Sequence, residues 1–308
     1  MLDIKYIRDN VQEVKNNCTA RRVTVDIDRL LELDKIRREK NQKIEELRAQ
    51  RNQKSKGKPT PEEIAAMRAV GDEIKSLEEH LTPIDAEYNE ILLSVPNRTH
   101  KDSPIGGEED FRVIEKFLEP PTFNFAPKDH ETLLTDLDLI DFERGAKVAG
   151  AKFYFVKNDL VRLNMALINY GLDVMGAHGF KFLETPDLAK NEILVGAGFN
   201  PRGAESNIYE IEQQGLSLVG TAEIPTLGYY ANEIIDLSKG PIKFASLSHS
   251  FRTEAGAYGR TSRGLYRVHQ FTKLEMFIFC KPEDSEALHM ELLNIEKEIL
   301  NGLEIPYR

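Results

Sequence analysis

The sequence predicts an α+β chain in two parts: an N-terminal antiparallel helical hairpin, then an antiparallel sheet flanked by helices. Three observations carry this expectation. Apolar residues fall at Ile64, Met67, Val70, Ile74, Leu77, Leu81, Ile84, Tyr88 and Ile91, with intervals alternating between three and four, the seam of a coiled coil. Pro104, Gly106 and Gly107 then interrupt every periodic pattern and place a domain boundary near residue 105. Beyond it, 241–251 and 270–279 are runs of β-formers joined by a stretch punctuated with Gly256, Gly259 and Gly264. The expected domains are residues 1–105, a helical arm, and 106–308, a sheet domain.

Composition narrows the class. A chain of 308 residues with 41% hydrophobic and 30% charged residues has the profile of a soluble globular protein large enough for two cores. No run approaches the roughly 18 apolar residues that span a bilayer. The opening Met1-Leu2-Asp3-Ile4-Lys5 lacks a secretory signature, so the expected location is the cytoplasm. Cys18 and Cys280 stand far apart without His or Cys neighbours, which excludes a disulfide framework and a structural zinc site. The net charge is −10, yet between Lys35 and Lys58 ten Lys or Arg face three acids. That asymmetry assigns an anionic partner to one element of an otherwise acidic chain.

Taken in order, residues 1–22 predict a short helix from Ile4, Ile7, Val11 and Val14. A second helix follows Thr24–Asp26 and runs to about Lys54, with apolar contacts at Ile27, Leu30, Leu31, Leu33, Ile36, Ile44 and Leu47 and a charged stretch from Arg37 to Lys43. Gly57 to Pro59 stop it, and Thr60, Pro61 and Glu63 form a capping-box start for the third helix. A short Pro/Gly turn makes the two long helices antiparallel neighbours, and about 28 residues at 1.5 Å each give an arm of roughly 40 Å. The candidate RNA contacts on it are Arg37, Arg38, Lys40, Lys43, Arg48, Arg51 and Lys54, touching phosphates and shape rather than base sequence. In the second domain the pattern predicts a helix over 133–148, a strand at 153–155, a helix over 159–178 ended by Gly179, and a strand over 180–184. A glycine-bearing loop over 192–202, short strands at 207–209 and 216–219, a helix over 221–232 and a last helix over 283–301 complete the expectation.

The chemistry concentrates in the hairpin. Residues two apart on a strand share a face, so Arg252 pairs in direction with Glu254, and Phe271 with Lys273 and Glu275, while Leu274, Met276 and Ile278 face the other way. Glu275 is equally placed to meet Lys273, Arg252 or a ligand. Arg252, Arg260, Arg263 and Arg267 fall close together, and the guanidinium fork suits phosphate oxygens. A nucleotide is the ligand this front face predicts. Neither a Gly-x-Gly-x-x-Gly turn nor a Gly-Lys-Ser/Thr phosphate loop occurs, which disfavours the common parallel-sheet nucleotide folds.

The words Thr221-Ala222-Glu223, 251–260 (FRTEAGAYGR), 263–271 (RGLYRVHQF) and Lys273-Leu274-Glu275-Met276, in this order behind a long arm, resemble the bacterial-type seryl-tRNA synthetases of class II. The stretches around 251–271 resemble the class II motif 2, and Gly179 to Pro186 resembles motif 1, part of the family's dimer interface. The resemblance implies a class II sheet domain and a serine-tRNA ligase. It would form seryl-adenylate from serine and ATP, pass serine to tRNA and act as a homodimer. By position, Arg252 would hold the α-phosphate and serve as the catalytic cation. ATP contacts would come from Arg252, Thr253, Glu254, Val268, His269, Gln270 and Phe271, with Glu254 on the adenine amino group and Phe271 stacked on the ring. Serine contacts would come from Thr221, Ala222, Glu223, Arg252 and Glu275. His269 on its own pattern is a packed, hydrogen-bonded ring rather than a base. The family continues beyond the equivalent of Arg308 with motif 3 and the usual Mg2+ ligands, so the sheet domain is expected to be incomplete at its C-terminal side, with no metal set in the sequence in hand. The alternative function is a non-catalytic relative that binds tRNA or dimerises without ligation. A carrier-protein ligase is disfavoured by the long arm.

Overall fold

The computed structural model describes residues 2–54, 60–199, 207–254 and 264–308, and these form two compact units, 1–113 and 114–308. The expected Gly57–Pro59 stop, the Glu63 half of the capping box, the Lys54 side chain, Gly256, Gly259, Arg260 and Arg263 lie outside what it describes.

The first unit begins with α1 (Ile4–Asp9) and α2 (Val11–Ala20) where the sequence predicts one helix. The break has a local cause: Asn10 leaves helical geometry at φ −133° and its side-chain amide donates to the Tyr6 carbonyl, ending the first helix one turn early. The long pair α3 (Ile27–Lys54) and α4 (Pro61–Ser94) follows. Their seam has two apolar clusters. At the base Ile7, Val14, Cys18, Ile27, Leu30, Leu33, Tyr88, Leu92 and Val95 close together, and farther along Ile44, Leu47, Ile74 and Leu81 do the same. Between them lies the charged stretch that breaks the pattern. There Arg37 lays its guanidinium 3.8 Å above the Tyr88 ring and donates to Asp85, while the buried Asp34 accepts from Arg8 and Arg38. The polar positions are thus built into the seam as paired charges rather than left in it unsatisfied. Ile64, a predicted seam residue, is 43% exposed.

In the second unit the helix predicted over 133–148 is two, α5 (His130–Asp136) and α6 (Phe142–Ala149), separated by the short strand β1 (Ile140–Asp141). Asp138 turns the chain at φ +54°, and the Asp141 carboxylate accepts from the Arg144 N–H as the cap of α6. β1 pairs antiparallel with β2 (Phe155–Val156). The expected helix α7 (Asp159–Ala177) ends before Gly179, whose φ of +81° is the left-handed turn that glycine supplies. Then come β3 (Lys181–Glu184), β4 (Leu188–Lys190), α8 (Asn191–Gly196), β5 (Glu210–Ile211), β6 (Leu216–Leu218) and α9 (Glu223–Gly228). α8 replaces the first part of the expected loop over 192–202, β5 sits just after the strand expected at 207–209, and α9 is shorter than the helix expected over 221–232.

The long hairpin is β7 (Ile242–Phe251) and β8 (Gln270–Phe279), paired through ten consecutive residues from Ile242↔Phe279 to Phe251↔Gln270. β3 joins the other edge of β7, and it runs parallel to it, against the fully antiparallel sheet the sequence predicts. Hairpin logic covers only strands joined by short turns; β3 and β7 are separated by the whole β4–α9 excursion, long enough for a crossover. α10 (Ser285–Gly302) covers the back of this sheet with α7, and Met175, Phe180, Ala245 and Ile295 form the core there with Leu274, Met276 and Ile278. No helix among the described residues is long and apolar enough to cross a membrane.

The two clusters of the arm give a direct test. Ile74→Ala, at a site 6% exposed, is expected to lower unfolding stability by about 2–4 kcal/mol, and Ile64→Ala by less than about 0.5 kcal/mol. Denaturant titration of the two variants checks the difference, and equal effects would reject the seam as described.

Candidate active site

The front of the β7–β8 pair is built from residues that the register places opposite one another. Ser246 faces Glu275, Ser248 faces Lys273 and Ser250 faces Phe271. Small hydroxyl side chains on β7 leave room above the sheet for the long ones on β8. The three serines are buried and satisfied within the floor: Ser246 Oγ accepts from Thr226 of α9 at 2.9 Å, and Ser248 and Ser250 bond each other.

At one end of this face lie a cation and a ring. The Arg252 guanidinium sits 5.2 Å from the Phe271 centroid and its Nε donates to the Gly220 carbonyl at 3.2 Å. The backbone beneath is locked. The Arg252 N–H donates to the His269 carbonyl at 3.0 Å, and His269 Nδ1 lies 2.8 Å from the Arg252 carbonyl. His269 therefore spends one ring nitrogen on the main chain, and its ring packs 5.2 Å from Phe153, as a structural histidine would. β7 ends at Phe251, so the two-residue alternation used to align Glu254 with Arg252 does not reach Glu254. Glu254 adopts a left-handed φ of +50°, and its carboxylate accepts from Arg267 at 2.8 Å with a side chain only 10% exposed. Val268 is buried and Gln270 is exposed at the start of β8; the Thr253 N–H donates to the Asn207 carbonyl.

At the other end is a compact polar cradle. Thr221 Oγ1 lies 2.7 and 3.0 Å from the two Glu275 oxygens, and the Ala222 N–H donates to Glu275 at 2.8 Å. Lys273 Nζ is 2.7 Å from Glu275 and donates to Thr221 Oγ1 at 3.2 Å. The loop before α9 is thereby bound to β8 through one carboxylate. Glu223 follows at the first position of α9. Burial, with the Glu275 charge adding to it and Lys273 partly offsetting it, holds the Glu223 carboxyl above its ordinary range. Gly264 precedes β8 in the chain and lies against His130. Its φ is +64°, and an added Cβ would lie 2.2 Å from His130 Nε2, the atom that accepts from the Leu265 N–H.

The structure thus gathers Arg252, Phe271, Thr221, Ala222, Glu223 and Glu275 along one sheet face. Lys273, Arg267 and the Gly220 carbonyl join them; the sequence pattern placed Lys273 on this face without a role. On the arm it sorts the basic residues. Arg37, Arg38 and Arg48 are committed to Asp85, Asp34, and Glu45 with Glu78. Among the described residues Lys40, Lys43 and Arg51 have no acidic partner. No group of three or more His, Cys, Asp or Glu among the described residues could hold a metal ion.

The sheet domain is that of a class II aminoacyl-tRNA synthetase, as its likeness to known proteins shows. The family model described as "tRNA synthetase class II core domain (G, H, P, S and T)" matches residues 209–308, and that described as "Seryl-tRNA synthetase N-terminal domain" matches residues 1–99. A serine–tRNA ligase of Treponema denticola is 48% identical, aligned over 100% of this chain and 75% of its own length. One of Rubrobacter xylanophilus is 44% identical, over 100% and 74%. Among solved structures, the seryl-tRNA synthetase of Pyrococcus horikoshii complexed with ATP superposes with a TM-score of 0.85 at 32% identity, covering 100% of this chain and 76% of that one. The cytoplasmic serine–tRNA ligase of Naegleria fowleri in complex with AMP does so with 0.80 at 26%, covering 100% and 74%. The chain belongs to the seryl-tRNA synthetase family and spans about three quarters of these relatives.

The raised Glu223 carboxyl predicts a pH signature. The folded chain binds a proton there more readily than the unfolded chain, so the stability tied to this residue is full below the ordinary glutamate range and is lost as pH rises through the folded value. Glu223→Gln is expected to melt above the wild type at neutral pH, with the difference closing below about pH 4. A difference independent of pH would remove the charge argument.

Proposed function

We propose that this chain activates serine with ATP and transfers it to tRNA. The observation that carries this reading is the adjacency, on one face, of Arg252 over Phe271 and the Thr221–Ala222–Glu275 cradle. In it an adenine ring stacks on Phe271, and Val268, His269 and Gln270 shape the floor beside it. Glu254, one oxygen of which is held by Arg267, has a second for the adenine amino group, with Thr253 between it and Arg252. Arg252 meets the α-phosphate. Serine lies toward Thr221, Ala222, Glu223 and Glu275, its ammonium and hydroxyl taken by the two carboxylates.

The chemistry then needs no protein nucleophile. A serine carboxylate oxygen attacks the α-phosphorus, that P–O bond forms, the bond to pyrophosphate breaks, and the mixed anhydride results. Arg252 neutralises the charge that builds on the phosphoryl oxygens, and the cradle fixes the carboxylate in line. In the second step a tRNA hydroxyl attacks the activated carbonyl and AMP leaves. A buried partner for the serine hydroxyl rejects alanine, because alanine would leave that partner unpaired. Mg2+ belongs to the proposal as the usual companion of ATP phosphates. The described residues do not supply a ligand set for it, and no step here is routed through it.

Two partners follow. tRNA is met by the arm through Lys40, Lys43 and Arg51, with the paired Arg37, Arg38 and Arg48 adding field rather than direct contact; Lys54 belongs to the same basic set. A second copy of the chain covers the apolar side chains Val161, Leu163, Met165 and Leu167 of α7 and Phe182 of β3, all exposed, in a cytoplasmic homodimer.

Serine-dependent ATP–pyrophosphate exchange on the 308-residue chain tests the catalytic reading. Exchange is expected, with Arg252→Ala reducing it by roughly 10²–10³-fold. No exchange above background would leave the non-catalytic RNA-binding reading in its place. For the arm, the triple change of Lys40, Lys43 and Arg51 to Ala is expected to weaken tRNA binding and to reduce the slope of log K against log salt by about 2–3. An unchanged slope in filter binding would end the idea that these three meet phosphate.

A further inference from the structure

Lys273 has no part in the roles above, yet it is bonded to two groups of the site face. Its ammonium bonds Glu275 at 2.7 Å and Thr221 at 3.2 Å, the two groups that also bond each other. The charged groups that face it are Glu275 on its own strand and Glu223 on α9; the β7 side chains across from this stretch, Ser246, Ser248 and Ser250, carry no charge. The next cation along the face, Arg252, is turned to the Gly220 carbonyl and the Phe271 ring. Glu254 is occupied by Arg267. The cradle therefore holds two carboxylates and one ammonium.

We propose that Lys273 is a positioning residue of the amino-acid site: it cancels the Glu275 charge, fixes the Glu275–Thr221–Ala222 net before substrate arrives, and leaves the cradle one net negative charge for one substrate ammonium. This rests on the reading of the cradle as the amino-acid site. The physical need is clear. Without a cation two half-buried carboxylates would face each other, and one of them would take up a proton rather than stay charged. A protonated Glu275 would present a donor where the Ala222 N–H and the Thr221 hydroxyl already donate. The net that orients the carboxylate would then come apart. Lys273 supplies the countercharge, and Glu223 keeps the attraction for an ammonium that Glu275 has given up. The arrangement also explains why a lysine can stand in a site that binds a cationic group: it is the second member of a two-to-one set.

The test uses the full chain and four variants: Lys273→Met, which keeps the length and loses the charge, Lys273→Arg, Glu275→Gln, and Lys273→Met with Glu275→Gln. Thermal unfolding is followed from about pH 4 to about pH 8, spanning the carboxylate range. Lys273→Met is expected to match the wild type at the acid end and to fall progressively below it as pH rises, because the uncompensated pair then ionises. Lys273→Arg and the double variant are expected to close most of that gap. Serine binding, read as a ligand-induced rise in melting temperature or by calorimetry, is expected to weaken by about tenfold or more in Lys273→Met and to stay within about threefold in Lys273→Arg. A gap between Lys273→Met and the wild type that does not change with pH, alongside normal serine binding by the wild type, would overturn the role of Lys273 alone. Failure of the wild type to respond to serine would overturn the amino-acid site on which the proposal rests.

Discussion

Everything at the site depends on the register of β7 and β8. Ten residue pairs without a bulge put Ser246, Ser248 and Ser250 under Glu275, Lys273 and Phe271, and put Leu274, Met276 and Ile278 against α7 and α10. A slip of one residue would exchange the faces, burying Lys273 and Glu275 in the apolar layer and exposing the core. The core thus selects the register, and the register sets the site. The apolar back of β8 is in this sense a functional element, although none of its side chains faces a ligand.

The second constraint is electrostatic. A carboxylate on the half-buried face of a sheet needs partners, and Glu275 finds three in Thr221, the Ala222 N–H and Lys273. Two of these lie on the loop that precedes α9, so the need of one acid for hydrogen bonds fixes a separate segment against the sheet. The same logic runs through the arm, where Asp34 is buried between Arg8 and Arg38, and Arg37 is held by Asp85 and Tyr88. There the paired charges divide the seam into two apolar clusters.

Much of this was legible in the sequence where a period speaks. The alternating threes and fours of 64–91 and the twos of 270–279 located the long helix and the site strand, because side-chain direction in a regular element follows from spacing alone. What the period could not convey were events decided by single polar groups or distant partners. Asn10 and Asp138 split predicted helices through one side-chain bond and one left-handed residue. The parallel alignment of β3 depends on a partner strand far along the chain. Arg37 counted as a free basic residue in the sequence because its acid and its ring, Asp85 and Tyr88, belong to another helix. Glu254 was aligned with Arg252 by an alternation that stops at Phe251. Lys273 was visible as a neighbour of Glu275, but its second contact, Thr221, lies fifty-two residues away.

The bonds that flank residues 255–263 form two fixed posts. On one side Arg252 and His269 hold each other through main-chain and ring contacts and Glu254 is tied to Arg267; on the other Gly264 and Leu265 rest on His130. Arg252 is thus fixed through its main chain, which leaves the direction of its guanidinium to the Gly220 carbonyl and the Phe271 ring.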